Sequence, residues 1–323
     1  LIPPRAELVA HARDTIARGS KSFAAASKLF DAGTRERAWL LYAWCRACDD
    51  LADGQDMGHG MRRLDDAQER LTLIRERTAK ALAGQSIGDP AFDALGVVAG
   101  EVGLPHSLVY DVIDGFQLDA DGWQPVTEGD LYQYCYHVAG AVGGLMAVVM
   151  GVPPLDTDTL DRACDLGLAF QLANIARDVR EDADAGRCYL PREWLAEQGI
   201  DPANPMATPD RVALLARRMA ARAALHEDSA RVGAARLPWR SAWAVLAAAD
   251  IYGGIARKVA AAGPAAWDRR QTTSKGEKIA AIARAFVAAR WRPAPDTPRD
   301  PVLWTRALQA TNVIPAKAGI SRL

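Results

Sequence analysis

The chain has 323 residues, and its 39 basic and 40 acidic side chains leave a formal charge of −1. Half the residues are hydrophobic and 24% are charged, a balance with ample apolar surface to offset the entropy of ordering. An intrinsically disordered chain is thereby excluded, and the neutral total lacks the basic footprint of a nucleic-acid binder.

The pattern is helical almost throughout. Ala, Leu, Arg and Glu dominate, alternating β-branched runs are scarce, and helices are predicted over about 5–18, 21–30, 34–53, 61–83, 90–102, 105–117, 127–150, 156–183, 191–197, 208–232, 238–262 and 275–291. Turn chemistry separates them at Asp53-Gly54, Gly88-Asp89-Pro90, Gly103-Leu104-Pro105, Gly151 to Pro154, Asp201 to Pro205 and Gly263-Pro264. No internal repeat of solenoid length is present. The prediction is one all-α domain over residues 1–292, followed at 293–323 by a proline-rich tail that is extended or disordered.

Five widely spread cysteines, Cys45, Cys48, Cys135, Cys164 and Cys188, fit a reducing cytoplasm better than a disulfide framework. Cys45 and Cys48 form a C-x-x-C, but no second pair completes a zinc site. The first residues carry two prolines and early charges and no leader pattern. Leu131 to Leu155 has no formally charged residue, long enough for a membrane span. Its four glycines, its two terminal prolines and the polar Tyr132, Gln133, Tyr134, Tyr136 and His137 favour a buried helix instead.

Two acidic segments stand in apolar, aromatic company. The first runs from Trp39 through Tyr42, Arg46, Asp49 and Asp50 to Asp53; the second runs from Phe170 through Arg177 and Asp178 to Asp182. Each carries Asp-x-x-x-Asp, which on a helix places both carboxylates on one face, about 6 Å apart along the axis. Spacing alone says little, because it recurs at Asp89/Asp93, Asp161/Asp165 and Asp296/Asp300, read here as solvated surface acids. The second segment says more: Gln171, Asn174, Asp178 and Asp182 form one stripe on a helix otherwise built of Leu, Ala, Ile and Phe. Carboxylate and amide oxygens suit Mg²⁺, and Arg46, Arg177 and Arg187 beside them suit phosphate oxygens. The competing reading is a buried ion-pair network.

Gly19-Ser20-Lys21-Ser22-Phe23 offers a phosphate seat at a helix start, or plain N-capping by Ser20 or Ser22. Trp267-Asp268-Arg269-Arg270 follows another helix and adds cationic side chains. Together these features point to metal-assisted departure of diphosphate, leaving an allylic carbocation shielded from water by aromatic faces. Phe23, Tyr42, Tyr134, Phe170, Tyr189 and Tyr252 are candidates for that lining.

These motifs resemble the phytoene/squalene synthase family, most of all its bacterial phytoene-forming branch. The carriers are residues 19–23, 42–50, 134–140, 165–178, 186–191 and 267–269, in the family's order across about 15–290. The resemblance implies an isoprenoid synthase fold with helices around a central tunnel and two aspartate-bearing helices facing across it. It assigns Asp49 and Asp53 to one part of a Mg²⁺ cluster, with Mn²⁺ as a substitute, and Asn174, Asp178 and Asp182 to the other. It places Ser20, Ser22, Phe23, Arg46, Gln171, Arg187 and Arg269 at the substrate, and Tyr42, Tyr134, Tyr189 and Tyr252 beside the reacting carbons.

The implied reaction, a step of carotenoid biosynthesis, joins two geranylgeranyl diphosphates head to head through prephytoene diphosphate. It releases two diphosphates and needs no NADPH. A C30 synthase using farnesyl diphosphate, a terpene cyclase and a non-catalytic assembly factor are the rival readings. The apolar substrate and product argue for peripheral contact with the inner face of a membrane, although no basic amphipathic segment stands out in the sequence. Three local features depart from the pattern or bear on it: residues 119–123 look altered, Gly253-Gly254 should loosen its helix, and Ser27, four residues from Phe23, is expected to face the tunnel and leave depth for C20 chains.

Overall fold

Several helix boundaries follow from capping residues that the sequence supplies at the breaks. The computed structural model describes residues 2–53, 67–291 and 297–306, and the side chains of Lys21, Ser22 and Asp53 lie outside that description. Among the described residues the regular elements are all helical. They are α1 (Arg5–Gly19), α2 (Lys21–Ser27), α3 (Ala32–Asp53), α4 (Ala67–Leu82), α5 (Pro90–Val102), α6 (His106–Ala120), α7 (Glu128–Cys135), α8 (Ala141–Val149), α9 (Thr157–Asp184), α10 (Arg192–Glu197), α11 (Pro209–Ala234), α12 (Trp239–Ala262) and α13 (Lys275–Arg290). Asp89 caps α5 ahead of Pro90, Asp156 caps α9, and reciprocal capping boxes open α7 at Thr127/Asp130 and α13 at Ser274/Glu277.

The helices form a single all-α domain. α1, α3, α4 and α5 pack together on one side; α8, α9, α11 and α12 pack on the other; and α6 touches both α4 and α8. One contiguous core runs through both sides and includes Leu40, Leu41, Trp44, Phe92, Leu95, Leu145, Leu172 and Trp194. Within the first side the buried Trp44 indole donates to Thr78 Oγ1 at 3.3 Å, joining α3 to α4.

The uncharged stretch at 131–155 forms no membrane span, since no described helix is long and apolar enough to cross one. It is divided instead into α7, a single π-helical turn over Tyr136–Gly140, and α8. Its glycines serve close packing against α9. A Cβ on Gly143 would lie 2.4 Å from the Ala163 carbonyl oxygen, and one on Gly167 would lie 2.3 Å from that of Ala139. The two backbones therefore meet with no room for a methyl group, which explains why this segment is apolar and small.

Several sequence expectations are corrected. Asp93 and Asp165 are not surface acids: both are 1% exposed. Asp93 accepts from the Ile87 backbone N–H at 2.7 Å, closing the turn before α5. Asp165 accepts from Ser229 Oγ at 2.6 Å, pairs with His226 Nδ1 at 2.8 Å, and meets Arg299 Nε and Nη2 at 2.8 and 2.7 Å. Ser27 is fully buried rather than facing a tunnel, donating to the Ala24 carbonyl and accepting the Trp39 indole N–H, each at 2.9 Å. Gly253 does not loosen α12, which runs unbroken through it. A Cβ there would lie 2.0 Å from Glu227 Oε2, so the glycine makes room for a buried carboxylate.

The proposed domain boundary at residue 292 lies outside the described residues. Beyond it, residues 297–306 carry no helix and are fixed to the body. Arg162 donates to the Thr297 carbonyl, Arg299 engages Asp165, Arg306 pairs with Asp161 at 2.8 Å, and the Trp304 ring lies 5.6 Å from that of Tyr136.

Candidate active site

The predicted site residues fall into two groups, one on α2 and α3, the other around the second half of α9. On α3 the 3.6-residue period places Tyr42, Arg46, Asp49 and Asp53 along one face. The Arg46 guanidinium pairs with Asp49 and with Asp50, the latter at 2.8 Å. Burial pushes the Tyr42 phenol up, against the nearby positive charge of Arg46. Phe23 meets the Tyr42 ring edge-on at 5.6 Å. Ser20 acts as an N-cap, accepting the Phe23 N–H at 3.2 Å. The Ser22 and Asp53 side chains lie outside the described residues.

On α9, Gln171, Asn174, Asp178 and Asp182 follow one another along a single helical face. Phe170, Gln171, Asn174, Arg177 and Asp178 are all half-buried, and the Asn174 amide donates to Gln171 Oε1 at 3.4 Å. Arg177 engages both Asp178 oxygens, one at 2.7 Å. Arg270 reaches Asp178 at 3.1 Å and Glu181 at 3.3 Å. Its backbone is anchored nearby, because the Trp267 indole donates to the Ala176 carbonyl and Arg180 donates to the Trp267 carbonyl, each at 3.1 Å. Arg269, the residue singled out in the sequence, and its neighbour Arg270 are both exposed, and Arg270 is the one that reaches Asp178.

A third cluster caps this end of α9. Trp123, Tyr134 and Tyr189 stack in succession, with centroids 5.5 and 4.9 Å apart. The Tyr134 and Tyr189 phenols both donate to Asp119, at 3.0 and 3.1 Å. Burial and the Asp119 charge push both phenols up, Tyr189 to about 12, so they remain neutral donors. Asp119 was missed because its segment looked altered; the signal was its place in the last turn of α6, four residues after Gly115. Tyr252 stacks on Phe170 at 4.2 Å.

Asp182 carries the largest electrostatic tension of the group. Burial, followed by the Asp178 charge, pushes its carboxyl up to about 7; Arg187 opposes the shift, while Glu181 and Asp119 add to it. Carboxylates crowded in this way, with the oxygens of Asn174 and Asp178 on the same stripe, fit a hard divalent cation. A second acidic group was not foreseen: among the described residues, Asp111, Asp114 and His137 bring ligand atoms within 4.8 Å of one another, a set able to hold a metal ion. At present Tyr136 donates to Asp111 at 2.5 Å and Arg75 pairs with Asp114 at 2.6 Å.

Comparison with known proteins agrees with this architecture. The squalene/phytoene synthase family matches residues 16–277. A 15-cis-phytoene synthase of Pantoea ananas is 46% identical over 308 residues, covering 93% of this chain and 98% of the relative. A phytoene synthase of Pseudescherichia vulneris is 47% identical over 304 residues, with the same coverage. The crystal structure of a dehydrosqualene synthase in complex with ligand superposes with a TM-score of 0.78 at 27% identity, covering 89% of this chain and 98% of that one. With two acid-bearing helices in place inside the matching fold, the chain belongs to the squalene/phytoene synthase family of prenyl-transferring enzymes, which act on isoprenoid diphosphates.

Proposed function

We propose that the chain joins two geranylgeranyl diphosphates head to head into phytoene, through prephytoene diphosphate, with release of two diphosphates. The observation that carries this reading is near-full-length identity of 46–47% to bacterial phytoene synthases. Asp49 and Asp53 on one helix, and Asn174, Asp178 and Asp182 on the other, are the residues that would hold Mg²⁺. Bound there, the cation supplies positive charge to a departing diphosphate.

The chain's own groups do the rest. Arg46, Arg177 and Arg270, now turned onto carboxylates, are positioned to exchange those partners for phosphate oxygens, with Arg187, Gln171, Ser20 and Ser22 as further candidates. Phe23, Tyr42, Phe170 and Tyr252 present ring faces and edges that stabilise a carbocation without attacking it. Tyr134 and Tyr189, tied to Asp119, hold their phenols away from ionisation and keep that wall of the site unreactive.

Incubation with geranylgeranyl diphosphate and Mg²⁺ should give a C40 product by mass. Asp49→Asn and Asp178→Asn should each lower diphosphate release by about a hundredfold or more. Undiminished release in both variants would remove the acids from the site. The structural likeness to a dehydrosqualene synthase favours a second reading, C30 synthesis from farnesyl diphosphate, and product mass with each substrate separates the two.

A further inference from the structure

We propose that the outer face of α13 docks on an anionic lipid surface. α13 lies at the edge of the fold and packs on α12 through a stripe of small residues, Ala281, Ala285 and Ala289, each 2% exposed or less. Its opposite side is also apolar, and none of the described residues covers it: Ile279 is 68% exposed, Val287 57% and Trp291, just past the last turn, 82%. With Ala283 these residues recur every four positions, a stripe about 18 Å long at 1.5 Å per residue. Phe286, 44% exposed, borders it and packs edge-on against Trp239 and Trp243. Of the other large exposed apolar residues, Val126 and Leu155 stand singly in loops, Leu73 lies on α4, and Leu214 and Leu225 lie eleven positions apart on α11.

Charge identifies the occupant. α13 carries Lys275, Lys278, Arg284 and Arg290 against one acid, Glu277; Glu277 is paired with Lys258 at 2.7 Å and Arg284 with Asp250 of α12 at 3.2 Å, so the excess positive charge lies toward the two ends of the helix, at Lys275 and Arg290. A second copy seated by two-fold symmetry would bring this basic face onto itself and repel. An anionic bilayer surface instead accepts both the basic flanks and the apolar stripe, with the indole of Trp291 at the headgroup level. The sequence concealed the feature because α13 is apolar on both sides, so no single amphipathic face stands out. The proposal stands on this surface alone and not on the identity of the substrate.

The test is co-sedimentation of the full chain with vesicles of phosphatidylethanolamine and phosphatidylglycerol, and with vesicles of phosphatidylcholine alone. Binding should be confined to the anionic vesicles and weaken as salt rises. An Ile279→Ser/Val287→Ser/Trp291→Ser variant should bind them about tenfold more weakly or worse, with unchanged circular dichroism and Tm. Lys275→Gln/Arg290→Gln should weaken binding less and flatten its salt dependence. Equal binding to both kinds of vesicle, or undiminished binding by the triple variant, would overturn the proposal. So would a change of mass in light scattering on triple substitution with vesicle binding intact, which would assign the face to a second copy.

Discussion

One helix, α9, buries two acids that experience opposite environments. Asp165 is sealed inside the protein, yet Arg299, His226 and Ser229 meet its oxygens, and together they outweigh burial and hold its pKa below the usual carboxylate range. Asp182, four turns and more along the same helix, is less deeply placed, yet burial and the charges of Asp178, Glu181 and Asp119 drive its carboxyl up to about 7. The difference shows how one element can both hold a fold together and keep a site in tension. A carboxylate whose partners are built in stays charged, whereas one buried beside other carboxylates is driven toward its neutral form even with Arg187 nearby.

The sharpest way to break this contrast is to neutralise each acid in turn. Asp165→Asn should cost about 3–5 kcal/mol, because it leaves the Arg299 charge facing no counter-ion in a buried network. Urea unfolding would read the loss, and Arg299→Gln should reproduce much of it. Asp182→Asn, measured without divalent metal, should do the reverse and raise Tm while abolishing most diphosphate release. A fall in Tm for Asp182→Asn would show that its charge is already satisfied.

The pH dependence follows with opposite signs. Since the folded pKa of Asp165 is depressed, its stabilisation is present above the ordinary carboxylate value of about 4 and is lost as pH falls through the lower folded value. The folded pKa of Asp182 is raised, so the metal-free protein should lose stability as pH climbs from about 4 toward 7. Tm measured across that range in a chelator should flatten in Asp182→Asn and keep its slope in Asp182→Glu.

A third buried acid extends the comparison at smaller scale. Glu227 is 5% exposed and is met by Arg231 at 2.5 Å and Arg257 at 3.3 Å, in space that Gly253 leaves open. Gly253→Ala should therefore cost about 1–3 kcal/mol by displacing that carboxylate. Gly254→Ala, where an added Cβ meets nothing within 4 Å, should stabilise α12 by about 0.5–1 kcal/mol. Equal effects at the two glycines would mean that Glu227 moves aside freely.

The helical architecture was legible because caps and breakers sit where the chain turns: Asp89-Pro90, Thr127, Asp156 and Gly263 mark ends within a residue or two of their observed places. The two acidic segments were legible for a related reason, since a polar stripe on an otherwise apolar helix contradicts its surroundings. What escaped notice depends on distance in sequence. Asp165 reads as one of several equivalent spaced acids until Arg299, 134 positions away, is folded onto it. Asp119 gains meaning only when Tyr134 and Tyr189 converge on it, and the contact of Arg270 with Asp178 depends on the anchoring of Trp267 to α9. The π-helical turn at Tyr136–Gly140 has no sequence marker of its own; it lies where α8 must pass the backbone of α9 at Gly143 and Gly167.

The clamp of Arg299 on Asp165 also has a consequence in time. A chain made from its N-terminus can assemble α1 to α12 and pack α9 into the core before residue 299 has been synthesised. Until then, among the described residues, His226 and Ser229 are the side chains that meet the Asp165 oxygens. This buried ion pair, whose partners lie 134 positions apart, thus closes after the helices that surround Asp165 have been made.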